Sequence, residues 1–173
     1  MTNTNNAKRR TRGITERVLS LLLCVMFFVS LIGCGSADIS SYADRQIRIV
    51  GLLEEDFYIT PGELAEMECI SATARGETEK AGTVQAYGPT LATFLEAYGK
   101  TVDEFYSIKF CAEDDYDVTL GAQTFANYDV ILSIANGSEP LYERQQPLRV
   151  VIPGADSGKW VRLVTEIIFT YKK

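Results

Sequence analysis

The sequence predicts an α+β fold, a mixed β-sheet core with a few short helices, and three observations carry that reading. Short apolar runs with period-two alternation recur between turn residues, only two or three segments show helical spacing, and the two kinds follow no strict βαβ order. The first strand runs over residues 46–53, where Ile47, Ile49 and Gly51 alternate with Arg48, Val50 and Leu52 and leave it apolar on much of both faces. Thr60-Pro61-Gly62-Glu63 reads as a capping box with proline at the first helical position, opening a short helix through Met67. Residues 68–73 read as a strand, 75–82 (RGETEKAG) as a polar loop and 83–87 as the next strand. Leu91, Phe94, Leu95 and Tyr98 fall at helical spacing, with Gly99 as the stop. A second Thr-x-x-Glu box, Thr101 to Glu104, precedes an alternating strand of Ile108, Phe110 and Ala112, and Asp114-Asp115 turns the chain into Val118 and Leu120. Residues 130–135 form a continuous apolar run closed by Asn136-Gly137, residues 148–152 another stopped by Pro153-Gly154, and 167–171 a last strand.

The N-terminus has a different character. Lys8, Arg9, Arg10, Arg12 and Arg17 precede the apolar stretch 18–32, which gives way to small residues, the order of an export signal. That stretch is shorter than the ~20 residues a spanning helix needs. Leu31-Ile32-Gly33-Cys34 resembles the lipobox of bacterial lipoproteins. The resemblance implies that residues 1–33 are removed and that Cys34 carries lipid, anchoring the protein on the extracytoplasmic face of the cell membrane. Residues 34–45 are small and polar, the composition of a tether, and 46–173 make one domain.

Charge and residue inventory exclude several function classes. Residues 1–33 hold five of the 17 Lys+Arg and one of the 23 Asp+Glu, leaving 12 against 22, a net −10. Such an acidic surface repels nucleic acid and anionic headgroups, so no nucleic-acid partner is expected. Histidine is absent, which removes Ser-His-Asp triads and His-ligated metals. Of four cysteines, Cys24 lies in the leader and Cys34 in the lipobox; Cys69 and Cys111 remain, with no CxxC, as buried thiols or a single disulfide.

The order of motifs resembles the molybdopterin-binding domain of the sulfite oxidase family. The matching residues are Val50-Gly51, Pro61-Gly62-Glu63-Leu64, Cys69 on its strand, Tyr87-Gly88-Pro89-Thr90-Leu91, Asp114-Asp115-Tyr116 and Ala135-Asn136-Gly137. The more specific matches follow: Pro147-Leu148-Arg149, Pro153-Gly154 and Gly158-Lys159-Trp160. The resemblance implies that Cys69 stands where a thiolate ligates molybdenum, that Lys159 and Arg75 stand where cations meet the cofactor's phosphate, and that Arg149 serves packing or the site. Read from the residues alone, Cys69 is equally a structural thiol.

Two departures set the expectation for function. Family enzymes follow the cysteine with Gly-Asn-Arg and place a histidine in the pocket, whereas here residues 70–75 read ISATAR and no histidine exists. Arg9-Arg10 is followed by Thr11-Arg12-Gly13 rather than by an apolar pair, so the leader looks like that of an unfolded export substrate, which has no pocket to carry a cofactor. The expectation is a retained fold without the molybdopterin cofactor: a non-catalytic module binding a small ligand or an envelope protein at a cleft bordered by Cys69, Arg75 and Lys159. The alternative is a molybdopterin-dependent oxidoreductase with Cys69 as metal ligand. Glu113, Asp114, Asp115 and Asp117 read as a solvated turn and Trp160 as a core plug.

Overall fold

A computed structural model describes residues 37–76 and 82–173, so the leader, Cys34 and loop residues 77–81 lie outside the described residues. In chain order the elements are β1 (Ile47–Val50), β2 (Phe57–Ile59), α1 (Pro61–Ala65), β3 (Cys69–Arg75), β4 (Thr83–Pro89), α2 (Leu91–Ala97), β5 (Phe105–Ala112), β6 (Asp117–Gly121) and α3 (Ala122–Asn127). The chain then runs through β7 (Ile131–Ser133), β8 (Ala135–Asn136), β9 (Glu139–Pro140), β10 (Arg149–Val151) and β11 (Val164–Tyr171). These strands form a five-stranded sheet in the order β2-β1-β11-β5-β6, a four-stranded sheet β3-β4-β8-β9 and a β10-β7 pair. Among the described strands only β1 and β11 pair in parallel, which makes the large sheet mixed, as the sequence predicts.

Period-two alternation explains the large sheet. Ile47, Ile49, Ile108, Phe110, Ile167 and Phe169 point inward and are at most 4% exposed. They meet Leu91, Phe94 and Leu95 of α2 in one continuous core with Leu132, Val150 and Val151. Aromatic rings seal one end, with Phe105 5.2 Å and Phe94 6.3 Å from Phe169 between centroids. The outer face carries ion pairs instead: Arg48 with Asp56 at 2.8 Å and Glu166 at 3.1 Å, and Lys109 with Asp117 at 2.6 Å. Such exposed pairs are each worth ~0–1 kcal/mol, so they set solubility more than stability.

Local signals act where the spacing places them. The Thr60–Glu63 capping box closes in both directions, Glu63 N–H donating to Thr60 Oγ1 at 3.2 Å and Thr60 N–H to Glu63 Oε2 at 2.8 Å. The Thr101–Glu104 box starts a single 3₁₀ turn. Asn136-Gly137 turns β8 into β9 with Gly137 at φ 65°, the left-handed region that glycine enters freely. At Gly88 the constraint is steric, because a β-carbon there would lie 2.1 Å from the Leu132 carbonyl oxygen.

Three elements escape the sequence reading: β2, α3 and β9. Two are only two or three residues long, and α3 starts at Gly121 without a side-chain cap and buries only Phe125, so neither period nor cap announces it. The tether is corrected as well, since the polar composition of residues 34–45 conceals a folded segment from Ala37 onward. Tyr42 is 1% exposed; its hydroxyl donates to Ile134 O at 2.7 Å and accepts from Leu141 N–H at 2.9 Å. Gly62 N–H adds a bond to Ala43 O at 3.0 Å. One buried ring and three hydrogen bonds outweigh the flexibility that the composition suggests. Among the described residues no helix is long and apolar enough to cross a membrane.

Candidate functional site

The β3–β4 hairpin supplies one wall of the site. Its register sets Cys69 opposite Pro89, Ser71 opposite Tyr87, Thr73 opposite Gln85 and Arg75 opposite Thr83. Directly opposed residues share a face, so these eight project together while Ala74, Val84 and Ala86 point into the core. At the Thr83–Gln85 end lies a cavity of about 400 Å³, completed by Asn136, Glu139, Tyr142 and Gln145 from the β8–β9 region and by Arg149 and Arg162.

The two arginines face each other by register. Val150 and Val161 form an antiparallel bridge with both N–H···O bonds made, which sets Arg149 and Arg162 across from one another one step along. Like charges so placed repel. Arg149 is only 8% exposed, its Nε is buried without a hydrogen-bond partner, and no carboxylate pairs with either arginine among the described residues. Burial lowers the Arg149 pKa, and the neighbouring Arg162 charge lowers it further; a guanidinium nonetheless stays charged. What compensates in part is the Trp160 ring, 5.9 Å from the guanidinium carbon, itself fixed by Nε1 donating to Ile152 O at 3.1 Å. The predicted core plug, 7% exposed, thus also packs against the Arg149 guanidinium.

The polar rim is internally tied. Asn136 Nδ2 donates to Gln145 Oε1 at 2.9 Å and to Pro140 O at 3.2 Å, and Tyr142 N–H donates to the same Gln145 oxygen at 3.2 Å. Gln145 therefore holds the rim in place, while Arg149 Nε remains the unanswered donor. An arginine that lines a cavity with no carboxylate partner among the described residues is a donor suited to an oxyanion.

Cys69 occupies the far end of the same hairpin face, four residues from the Gln85 position, or ~13 Å at the usual strand rise. Its thiol points at Leu64 O, 3.7 Å away. Burial pushes the thiol pKa up, a hydrogen bond with Tyr87 offsets part of the rise, and among the described residues no cation acts to favour the thiolate. Binding of a metal would itself displace the thiol proton, so Cys69 keeps the donor type that the family's group uses, while the Arg149 end offers a cation to an anionic group.

Of the sequence-predicted residues, only Arg149 lines the cavity. Arg75 is the exposed last residue of β3, Lys159 ends a 3₁₀ turn whose Gly158 carbonyl accepts the Tyr116 hydroxyl at 2.6 Å, and Cys69 stands apart. The cavity described here is lined by Arg149 and not by Cys69, Arg75 or Lys159. Sequence reasoning does not single out Arg162, Gln145 or Glu139, because the Val150–Val161 pairing that sets Arg162 across from Arg149 is seen only in the structure. Cys69 and Cys111 are both free thiols.

Comparison with known proteins agrees with this architecture. No curated protein matches the chain. The crystal structure of the sulfane dehydrogenase SoxCD from Paracoccus pantotrophus is similar to it with a TM-score of 0.59 at 22% identity, a likeness of fold that covers 75% of this chain and 39% of that one. The chain thus spans about two fifths of that structure's length. The family model for the oxidoreductase molybdopterin binding domain matches residues 39–173, starting within the segment that Tyr42 pins, and the chain belongs to that family, the sulfite oxidase type.

Proposed function

We propose that this protein is a membrane-anchored extracytoplasmic lipoprotein whose sulfite oxidase-type domain acts as a non-catalytic binding module, holding a small anionic ligand in the Arg149 cavity. The observation that carries the reading is the nearly buried Arg149, which lines the cavity with no carboxylate partner among the described residues. The missing histidine and the leader without a twin-arginine pattern point the same way. A second reading, a molybdopterin-dependent oxidoreductase with Cys69 as metal ligand, draws support from the family itself and from Cys69 sharing a face with the cavity wall.

The experiment that separates them is elemental analysis of the native protein purified from its own membrane. The proposal expects molybdenum far below one atom per chain, with no pterin fluorescence after oxidative release. Stoichiometric molybdenum that Cys69→Ser abolishes would replace the binding module with the oxidoreductase. The anchor is tested apart from this: Cys34→Ser should block processing or release the protein from the membrane fraction.

A further inference from the structure

We infer that the ligand of the Arg149 cavity is a di- or tripeptide with free ends, its carboxylate on Arg149 and Arg162 and its terminal ammonium on Glu139. The inference deepens the binding module proposed above and rests on that reading.

The first support is the charge pattern. Arg149, Arg162 and Glu139 line one cavity, yet among the described residues no ion pair joins the carboxylate to either guanidinium. Register fixes Glu139 opposite Asn136 in the β8–β9 pairing, and opposed residues share a face. The cavity therefore carries a doubly positive pole and a negative one that the fold keeps apart. A sphere of its volume is about 9 Å across, close to the ~8 Å over which charges still act at physiological ionic strength. A simple anion satisfies the first pole and is repelled by the second, whereas a zwitterion satisfies both. Tyr142 brings an aromatic ring to the same cavity, a further group that attracts an ammonium.

The second support is the set of carboxamides. Asn136 spends both Nδ2 hydrogens, on Pro140 O and on Gln145 Oε1, and that Gln145 oxygen also accepts from Tyr142 N–H. Asn136 Oδ1 is left as an acceptor and Gln145 Nε2 as a donor, neither with a partner among the described residues, and Gln85 of the same lining keeps both of its groups. An acceptor and a donor offered together match the N–H and C=O of a peptide group. Length agrees, since two or three extended residues span ~7–11 Å.

The test is calorimetry on the mature lipoprotein, purified from its own membrane in detergent. The tighter of Ala-Ala and Ala-Ala-Ala should bind at least tenfold better than its N-acetyl form, its C-terminal amide, or ω-aminooctanoate, which carries both charges without the amides. Glu139 is exposed and unpaired, so Glu139→Gln should melt as wild type does and erase only the preference over the N-acetyl form. Arg149→Met should erase the preference over the amide. Equal binding of the N-acetyl peptide or of ω-aminooctanoate, or a preference that survives Glu139→Gln, would overturn the inference. Inorganic phosphate separates the two levels of the argument. Phosphate that raises the melting temperature of wild type but not of Arg149→Met, with no peptide bound, overturns the peptide and leaves the anionic ligand standing; neither phosphate nor peptide bound overturns both.

Discussion

The regions at the two ends of the β3–β4 hairpin, one around Cys69 and one around Arg149 of β10, differ in what they ask of solvent. At the Cys69 end the thiol lies against the Leu64 carbonyl, Gly88 lets β4 press on the Leu132 backbone, and burial favours the neutral form of the thiol. At the Arg149 end two fixed positive charges oppose each other across a bridge with no carboxylate between them. The difference teaches that one scaffold can hold a closed, uncharged position and an open, charge-demanding one within about four residue pairs, and that their chemistries vary separately.

Four measurements break or sharpen that contrast. The largest effect belongs to the closed end: Gly88→Ala puts a methyl group into backbone that cannot yield as a flexible side chain would, and should cost about 3 kcal/mol in urea-denaturation midpoint. Next comes the support beneath the open end. Tyr42→Phe leaves Ile134 O and Leu141 N–H buried without their partner and should cost ~2 kcal/mol, read by the same method. Arg149→Met removes an unpaired buried charge while keeping bulk against Trp160. It should leave stability unchanged or raise it by about 1 kcal/mol while abolishing anion-dependent thermal stabilisation; a loss of several kcal/mol would show that the guanidinium is satisfied in the resting protein.

The smallest effect is a pH dependence. The folded Cys69 pKa lies above its unfolded value, so the fold holds the proton more tightly. That contribution is fully present below the unfolded thiol pKa and is lost as pH rises through the folded value. Wild type should therefore lose stability in the alkaline range slightly more steeply than Cys69→Ser, and Cys69 alkylation should titrate above the ordinary thiol range. Alkylation at neutral pH as fast as that of an activated thiol would erase the contrast.

Much of the fold is legible in the sequence because its strands alternate strictly and its turns use side chains with one physical role. Ile108, Phe110 and Ala112 announce β5 by period alone, and Asn136-Gly137 announces its turn by the φ that glycine permits. The Tyr42 segment was illegible for the opposite reason: its small polar neighbours carry no period, and one buried ring with two hydrogen bonds to residues more than 90 positions away decides its state. The site was half legible. Arg149 stands in a motif, but Arg162 enters only through the register between β10 and the residues after Trp160, and register across a turn of this length is a tertiary fact. Cys69 was legible as a position, while its protonation depends on how deeply β3 is buried.

The parallel pairing of β1 with β11 has a kinetic consequence. Arg48 aligns with Glu166 and Ile49 with Ile167, so the middle of the large sheet closes only when residues near 170 are available, and the loop being closed is nearly the whole domain. Loop closure over such a span is entropically slow, and until it occurs β1 and β5 lack the strand that joins them. A nascent chain ending at residue 163 should therefore remain protease-sensitive, whatever its helices do. For the export route proposed above, late closure would be an advantage, because the large sheet could not close until residues near 170 had followed.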